Sequence, residues 1–327
     1  MFSSADLCEI FVPHRETLNK FNHTFFSLRG DLLTPKEFFK VSTSSVSVIV
    51  LIVSIASFIS AVTSYSQLLK IPFLILVGYL SSSSAVLINN LYDADLDEKM
   101  ERTKYRPSLV TPNRIILSIT SAAFIIAASL LSLFFLSIYS LGFFLAGYSI
   151  YSFLYTMLLK RRTQANIIIG GTAASFVCFA GWSAVSSPFN IEPLYFAIFI
   201  FLWMILHFWS FSVVHTEDYK KTGIPMLPIV GKSSNASISI FTISILLAIL
   251  AYLPVYFFAH ITTFPYIAVY ALMDGILLYL SYIPLRKSSQ WEPYKAMLNY
   301  SNVYLIIMIF ILGGINLVQM NLVGGVP

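Results

Sequence analysis

The stretch NNLYDADLDEKMERTKYRP, residues 89–107, decides how this chain is read. It sets a carboxylate-rich run directly after an apolar segment in a protein that otherwise avoids charge. Asn89, Asp93, Asp97 and Glu101 fall at i, i+4 steps. On a continuing helix each step rises about 6 Å and drifts about 40°, so the spacing predicts four side chains on one gently spiralling face. Left uncompensated, such carboxylates repel one another. A divalent cation with a phosphate on its far side is the usual reason to hold them together. Arg102, Thr103 and Arg106 follow at once, and they are residue types that hold phosphate oxygens. The alternative is a solvated polar cap laced with i, i+4 ion pairs. The order of acids, then Arg-Thr, then Arg-Pro argues against it.

Outside this run the 327 residues are 57% hydrophobic and 11% charged, with mean hydropathy +0.79. A soluble domain carries about 25% charged residues, so the composition predicts an all-α, polytopic membrane helix bundle. Apolar runs of membrane-crossing length predict nine spans, near 44–64, 71–91, 114–136, 139–159, 165–186, 193–214, 236–259, 264–284 and 302–322. They lack the alternation of a β-barrel. With this count 19 of the 20 Lys and Arg fall on one side and only Lys70 on the other. The positive-inside rule then puts the N-terminus in the cytoplasm and the C-terminus outside, in the cell membrane. The net charge of +5 reflects this orientation, and nucleic acid is not implied. Cys8 and Cys178 are too far apart in the chain to suggest a disulfide framework or a thiolate metal site. Residues 1–43 read as a polar cytoplasmic segment without a cleavable signal pattern, and 44–327 as one membrane domain around a central cavity. Residues 9–28 suit either an interfacial amphipathic segment or a solvated tail.

A second polar loop, 215–234, lies on the same side as the first and carries Glu217, Asp218, Lys220 and Lys221. The two loops can offer carboxylates from two directions, which suits one or two Mg²⁺ ions gripping a diphosphate. Lys160, Arg161 and Arg162, with Thr163 and Asn166, are candidates for further phosphate contacts, although Arg161 reads almost equally well as a plain membrane anchor. His207 lies inside the sixth span, where an ionisable side chain points to function, as a haem ligand or an acid/base. His215 sits at the loop edge. Asp274 is the one acid buried in mid-span and is expected to face the interior and pair with a Tyr, a Ser or the backbone. Most of the 28 Phe and 19 Tyr read as lipid-facing packing, with a subset in the cavity able to stabilise a carbocation.

Asn89, Asp93 and Asp97 match the N-x-x-x-D-x-x-x-D signature of the UbiA superfamily of membrane prenyltransferases. Within it, YDADLDEKMERTKYRP (92–107), LKRRTQANIIIGG (159–171), GWSAV (181–185), HFW (207–209) and EDYKKTGIPMLPIV (217–230) resemble the protohaem IX farnesyltransferase (haem O synthase) family. The similarity runs through most of residues 70–310. It departs at Thr34-Pro35-Lys36, at Val177-Cys178, and at Met204 and Leu206, where that family usually has Gln and Pro. The resemblance implies transfer of farnesyl from farnesyl diphosphate to a vinyl group of haem B. It implies Mg²⁺ on Asp93, Asp97 and Asp218, which makes these three the catalytic set. Asn89, Arg102, Arg106, Lys160, Arg162 and Lys221 would hold the diphosphate and His207 the haem. The competing readings are a UbiA-type enzyme for a quinone precursor or lipid acceptor, and a haem or lipid transporter without chemistry. A transporter has little use for paired Asp residues flanked by phosphate-type Arg.

Overall fold

A computed structural model describes residues 33–227, 233–254, 264–287 and 290–323. The amphipathic reading of residues 9–28 and the end of the second loop, 228–232, lie outside the described residues. Every regular element among the described residues is helical. A short amphipathic helix α1 (Pro35–Ser42) leads into α2 (Ser45–Ala61). Thr34 and Glu37 form a reciprocal capping box at the start of α1, with Pro35 pre-set for the first turn. α1 and α2 meet at a 67° bend. The spanning helices α3 (Ile71–Tyr92) and α6 (Arg114–Leu131) flank the acidic run, which folds into two short turns, α4 (Ala94–Asp97) and α5 (Arg106–Val110). The chain continues through α7 (Ile138–Ser149, extended by a π-helical stretch Ile150–Leu159), α8 (Asn166–Ser183) and α9 (Ile191–Val214). After the short α10 (Thr216–Thr222) come α11 (Ser233–Ala251), α12 (Phe264–Arg286) and α13 (Glu292–Val323).

Each of the nine expected stretches holds a helix, but nine crossings are not established. Among the described residues seven helices are long and apolar enough to cross a membrane, and the bent pair α1–α2 raises the figure to eight. The described part of the α11 region, Asn235–Ala251, is a shorter apolar helix. The result is an integral, multi-pass membrane helix bundle.

The helices form a closed ring in which α13 packs back against α2. α8 is the hub, in contact with α2, α7 and α9. Lipid offers no hydrophobic drive between helices, so close backbone approach and interhelical hydrogen bonds hold the ring. Ser57 donates to the Cys178 carbonyl at 2.8 Å, Ser140 to that of Ala180 at 2.8 Å, and Ser175 to that of Ala197 at 2.9 Å. Ser84 and Ser121 donate to each other's carbonyls at 2.8 and 3.0 Å, joining α3 to α6. A Cβ on Gly181 would lie 2.2 Å from the Ser54 carbonyl oxygen, so α2 and α8 touch backbone to backbone there. Asp274 is 4% exposed and accepts from the Tyr304 hydroxyl at 2.8 Å, as expected for an acid inside the bundle.

Lys70 ties together the ends opposite the acidic run. At the start of α3, it donates to the carbonyls of Leu136 (3.2 Å), which ends a π-helical extension of α6 (Ser132–Leu136), and Ala184 (2.9 Å), the C-cap of α8. At the other end, an apolar cluster of Leu96, Met100, Ile167, Tyr219, Ile224 and Met226 packs the two polar loops onto each other.

Candidate active site

The expectation of one continuous helical face through residue 101 does not hold. α3 stops at Tyr92, and Asp93 leaves the helix with φ −95° and ψ 12°. Its carbonyl still accepts from the Asp97 backbone N–H at 2.8 Å, so the second step of the spacing, Asp93 to Asp97, survives as a single turn. After Asp97 the chain turns away. Asp93 and Asp97 point inward, 2% and 6% exposed, while Glu101 faces solvent and pairs with Lys104 at 2.6 Å and Lys221 at 3.5 Å. The physical reason is packing: Leu96 and Met100 must be buried against the second loop, and a straight helix would carry them off into solvent.

Asp93 and Asp97 lie at the mouth of a cavity of about 450 Å³ enclosed by α2, α3, α7, α8 and α9. Asn89, Arg102, Arg106, Lys160 and His207 also line it. The sequence singled out all seven. Asp93 and Asp97 each have a cation. Asp93 Oδ2 accepts from Lys160 Nζ, and from Asn89 Nδ2 at 2.9 Å. Asp93 Oδ1 accepts from Arg161 Nη2 at 3.3 Å. Asp97 Oδ2 accepts from Arg106 Nη1 at 3.4 Å, and the same guanidinium donates to Asn90 Oδ1 at 3.2 Å. Burial works against the Lys160 ammonium, but the adjacent Asp93 carboxylate and its hydrogen bond outweigh that and hold its pKa above the usual lysine value.

Arg161 is more than a membrane anchor. It forks onto Asp95 at 2.9 and 2.7 Å, donates to the Tyr92 carbonyl at 2.9 Å, and lies over the Tyr92 ring. This closes the exposed end of α3 and fixes one oxygen of Asp93. The bond to Arg161 holds the Asp95 carboxyl below its usual range. Two adjacent arginines in a basic loop gave the sequence no way to say which one turns inward. Arg162 is exposed and does not line the cavity.

Two other candidates, Asp218 and Lys221, lie away from the cavity lining. Asp218 does not reach the cavity; its Oδ1 accepts from the Glu101 backbone N–H at 3.1 Å, stitching loop to loop. Among the described residues no third His, Cys, Asp or Glu gathers with Asp93 and Asp97. Lys221 is exposed on the loop surface against Glu101 rather than in the cavity. Thr103 and Asn166, taken as phosphate candidates, are buried and brace the loops: Thr103 donates to the Asp97 carbonyl at 3.4 Å and Asn166 to that of Lys160 at 3.2 Å.

The cavity walls are aromatic and apolar. Tyr148, Tyr151, Tyr155, Phe144, Phe208 and Phe211 line it. Arg102 sits 5.2 Å from the Phe211 ring centroid and has no carboxylate partner among the described residues. Lys40, at the end of α1, also lines the cavity, with its ammonium 3.7 Å from the centre of the Tyr105 ring; the sequence reading missed it. His207 stacks on Trp203 at 4.9 Å, and its Nδ1 is 2.9 Å from the Ser301 hydroxyl. Met204, one of the departures, faces the same cavity, whereas Leu206 is fully buried elsewhere. Burial pushes the His215 imidazole below its usual range, and Arg102 acts in the same direction against Asp218.

A model of the UbiA prenyltransferase family matches residues 50–303. Protoheme IX farnesyltransferase 2 of Picrophilus torridus is 33% identical over 83% of this chain and 94% of its own length. Protoheme IX farnesyltransferase of Deinococcus radiodurans is 34% identical over 78% of this chain and 82% of its own. Among solved structures, a digeranylgeranylglyceryl phosphate synthase superposes with a TM-score of 0.68 at 18% identity, over 85% of this chain and 97% of the other. A UbiA homologue from Archaeoglobus fulgidus, bound to DMAPP and Mg²⁺, gives 0.61 at 16% identity, over 85% and 99%. At those identities the structural likeness speaks for the fold.

Proposed function

Since the chain belongs to the UbiA prenyltransferase family, we propose that it transfers farnesyl from farnesyl diphosphate to a vinyl group of haem B, releasing diphosphate. Water completes the hydroxyethylfarnesyl product. The observation that carries this reading is the cavity itself: two buried carboxylates and a ring of cations at its mouth, and an aromatic interior beyond. It is read together with relatives bearing the protohaem farnesyltransferase name over most of the chain.

The donor set fits Mg²⁺. Asp93 and Asp97 are hard oxygen ligands at the cavity mouth, and Mg²⁺ is commonly held by one or two carboxylates, with phosphate oxygens and water filling the octahedron. A third protein carboxylate is not needed, so Asp218 serves as a loop fastener and not as a ligand. When bound, the metal neutralises charge on the departing diphosphate. The chain supplies the rest. Asn89 fixes the Asp93 carboxylate, while Lys160, Arg106 and Arg102 offer donors to phosphate oxygens. Stabilising the leaving group's charge lowers the barrier to an allylic cation. The Tyr and Phe walls exclude water and turn π faces toward the cation. His207 contacts the haem side of the cavity. The polar cap, residues 1–43 and the loops around 93–113 and 215–234 face the cytoplasm, residues 44–327 form the membrane domain, and the C-terminus lies outside.

Purified protein with haem B, farnesyl diphosphate and Mg²⁺, with products read by mass spectrometry, tests the proposal. Haem O is the expected product. Prenylation of an aromatic or lipid acceptor in place of haem would move the chain to the other branch and give Met204 a role in acceptor choice.

A further inference from the structure

On the proposed reading of the site, a metal ion and a diphosphate meet at Asp93 and Asp97, and the role assigned to Lys160 rests on that reading. Both carboxylates already carry a protein cation: Lys160 on Asp93 and Arg106 on Asp97. Asp95 and Arg161 form a third pair beside them. Three acids are matched by three bases, while Arg102 and Lys40, which line the same cavity, have no carboxylate partner among the described residues.

The three cations are not equally free to leave. Arg161 is fastened by Asp95 and by the Tyr92 carbonyl, and would stay if it lost Asp93. Arg106 is fastened by Asn90, whose own side chain is anchored on the Val41 carbonyl at 2.6 Å. Lys160 has no second carboxylate among the described residues; its ammonium otherwise lies 5.9 Å from the centre of the Tyr155 ring, with Tyr151 and Tyr219 also near. It is a point charge on a flexible stem, and its Nζ lies at the cavity wall.

We infer that Lys160 is an exchangeable counter-ion that makes metal and diphosphate binding mutually dependent. In the empty enzyme it neutralises Asp93. When a metal takes the carboxylate, Lys160 passes to a phosphate oxygen. A metal arriving alone must displace the ammonium from Asp93 while the other cavity carboxylate, Asp97, is held by Arg106, and an unpaired buried charge is costly. A diphosphate arriving alone meets two buried carboxylates, and the lysine it needs is engaged. Arriving together, every charge keeps a partner. Linkage requires the effect to be reciprocal: the metal raises diphosphate affinity by the same factor as the diphosphate raises metal affinity. At least a tenfold effect is expected, about 1.4 kcal/mol of coupling.

The test is equilibrium binding to the full chain in detergent, with Mn²⁺ as an EPR-visible probe and unreactive farnesyl S-thiolodiphosphate as the second ligand. In the unsubstituted protein, Mn²⁺ affinity should rise at least tenfold with the analogue present. Lys160→Gln should bind Mn²⁺ alone at least tenfold more tightly and show less than about twofold coupling. Asp93→Asn should do the opposite: weaker metal binding, but tighter binding of the analogue in EDTA, because Lys160 is released. Mn²⁺ affinity indifferent to the analogue, or Lys160→Gln binding Mn²⁺ no more tightly, overturns the inference. If Lys160→Gln does not fold, the Asp93→Asn arm decides alone, and no gain in metal-free analogue binding overturns it. A protein that takes up no analogue with or without metal defeats the diphosphate reading itself and the inference with it.

Discussion

Asp93 holds four groups in one place: an amide from its own helix, an ammonium and a guanidinium from the loop after α7, and the backbone of Asp97 through its carbonyl. Removing its charge while keeping its shape tests the site directly. Asp93→Asn and Asp97→Asn should each lower turnover by about 10²–10³-fold, the cost of deleting one electrostatic stabiliser of a developing anion, with the protein still extracted folded. EDTA should mimic both. Activity near normal in either variant, or without metal, would remove the diphosphate from this end of the cavity. His207→Ala should raise the apparent KM for haem and weaken its Soret signal while leaving farnesyl diphosphate affinity nearly unchanged, because the ring lies within α9 against Trp203 and Ser301, away from the carboxylate pairs. The reverse pattern would assign His207 to the prenyl substrate. At this scale the sequence was legible where spacing fixes geometry: Asn89, Asp93 and Asp97 converge because each follows the last by about one turn. It was not legible for Asp218, whose partner is a backbone N–H on another loop, nor for Arg161 against Arg162, where one residue of register decides which side chain turns inward.

Elements were easier to read than contacts. Apolar runs of membrane-crossing length located the helices because backbone polar groups in lipid must be satisfied within the segment. The bend between α1 and α2 and the break at Asp93 were hidden, since both come from tertiary packing: α1 folds onto the cap, and Leu96 and Met100 dock onto the second loop. The contact of α2 with α8 gives the sharpest test. Gly181→Ala puts a methyl 2.2 Å from the Ser54 carbonyl oxygen, and backbone cannot step aside as a side chain can. Overpacking costs about 1–3 kcal/mol. The variant should therefore unfold earlier in a thermal or detergent-denaturation series, with activity lost in parallel. Gly142, whose added Cβ would meet nothing within 4 Å, is the control and should tolerate alanine. Equal behaviour of the two would mean the helices do not touch at Gly181.

For the whole molecule, the basic loops converge on one end. Lys40 reaches Tyr105, Lys160 and Arg161 reach the acidic run, and Lys221 reaches Glu101. A reporter placed in the 215–234 loop should read as cytoplasmic and one fused after Pro327 as outside. If both read the same side, the number of crossings between them is wrong. Lys70, at the end of the bundle opposite the acidic run, has a consequence for how the protein is made. Lys70 finds its partners 66 and 114 residues further along the chain. At about 5–20 residues per second of synthesis, the second partner emerges roughly 6–23 s after the lysine does. Throughout that interval the ammonium has to wait without these partners, so α3 cannot be locked in place until α8 has been delivered beside it.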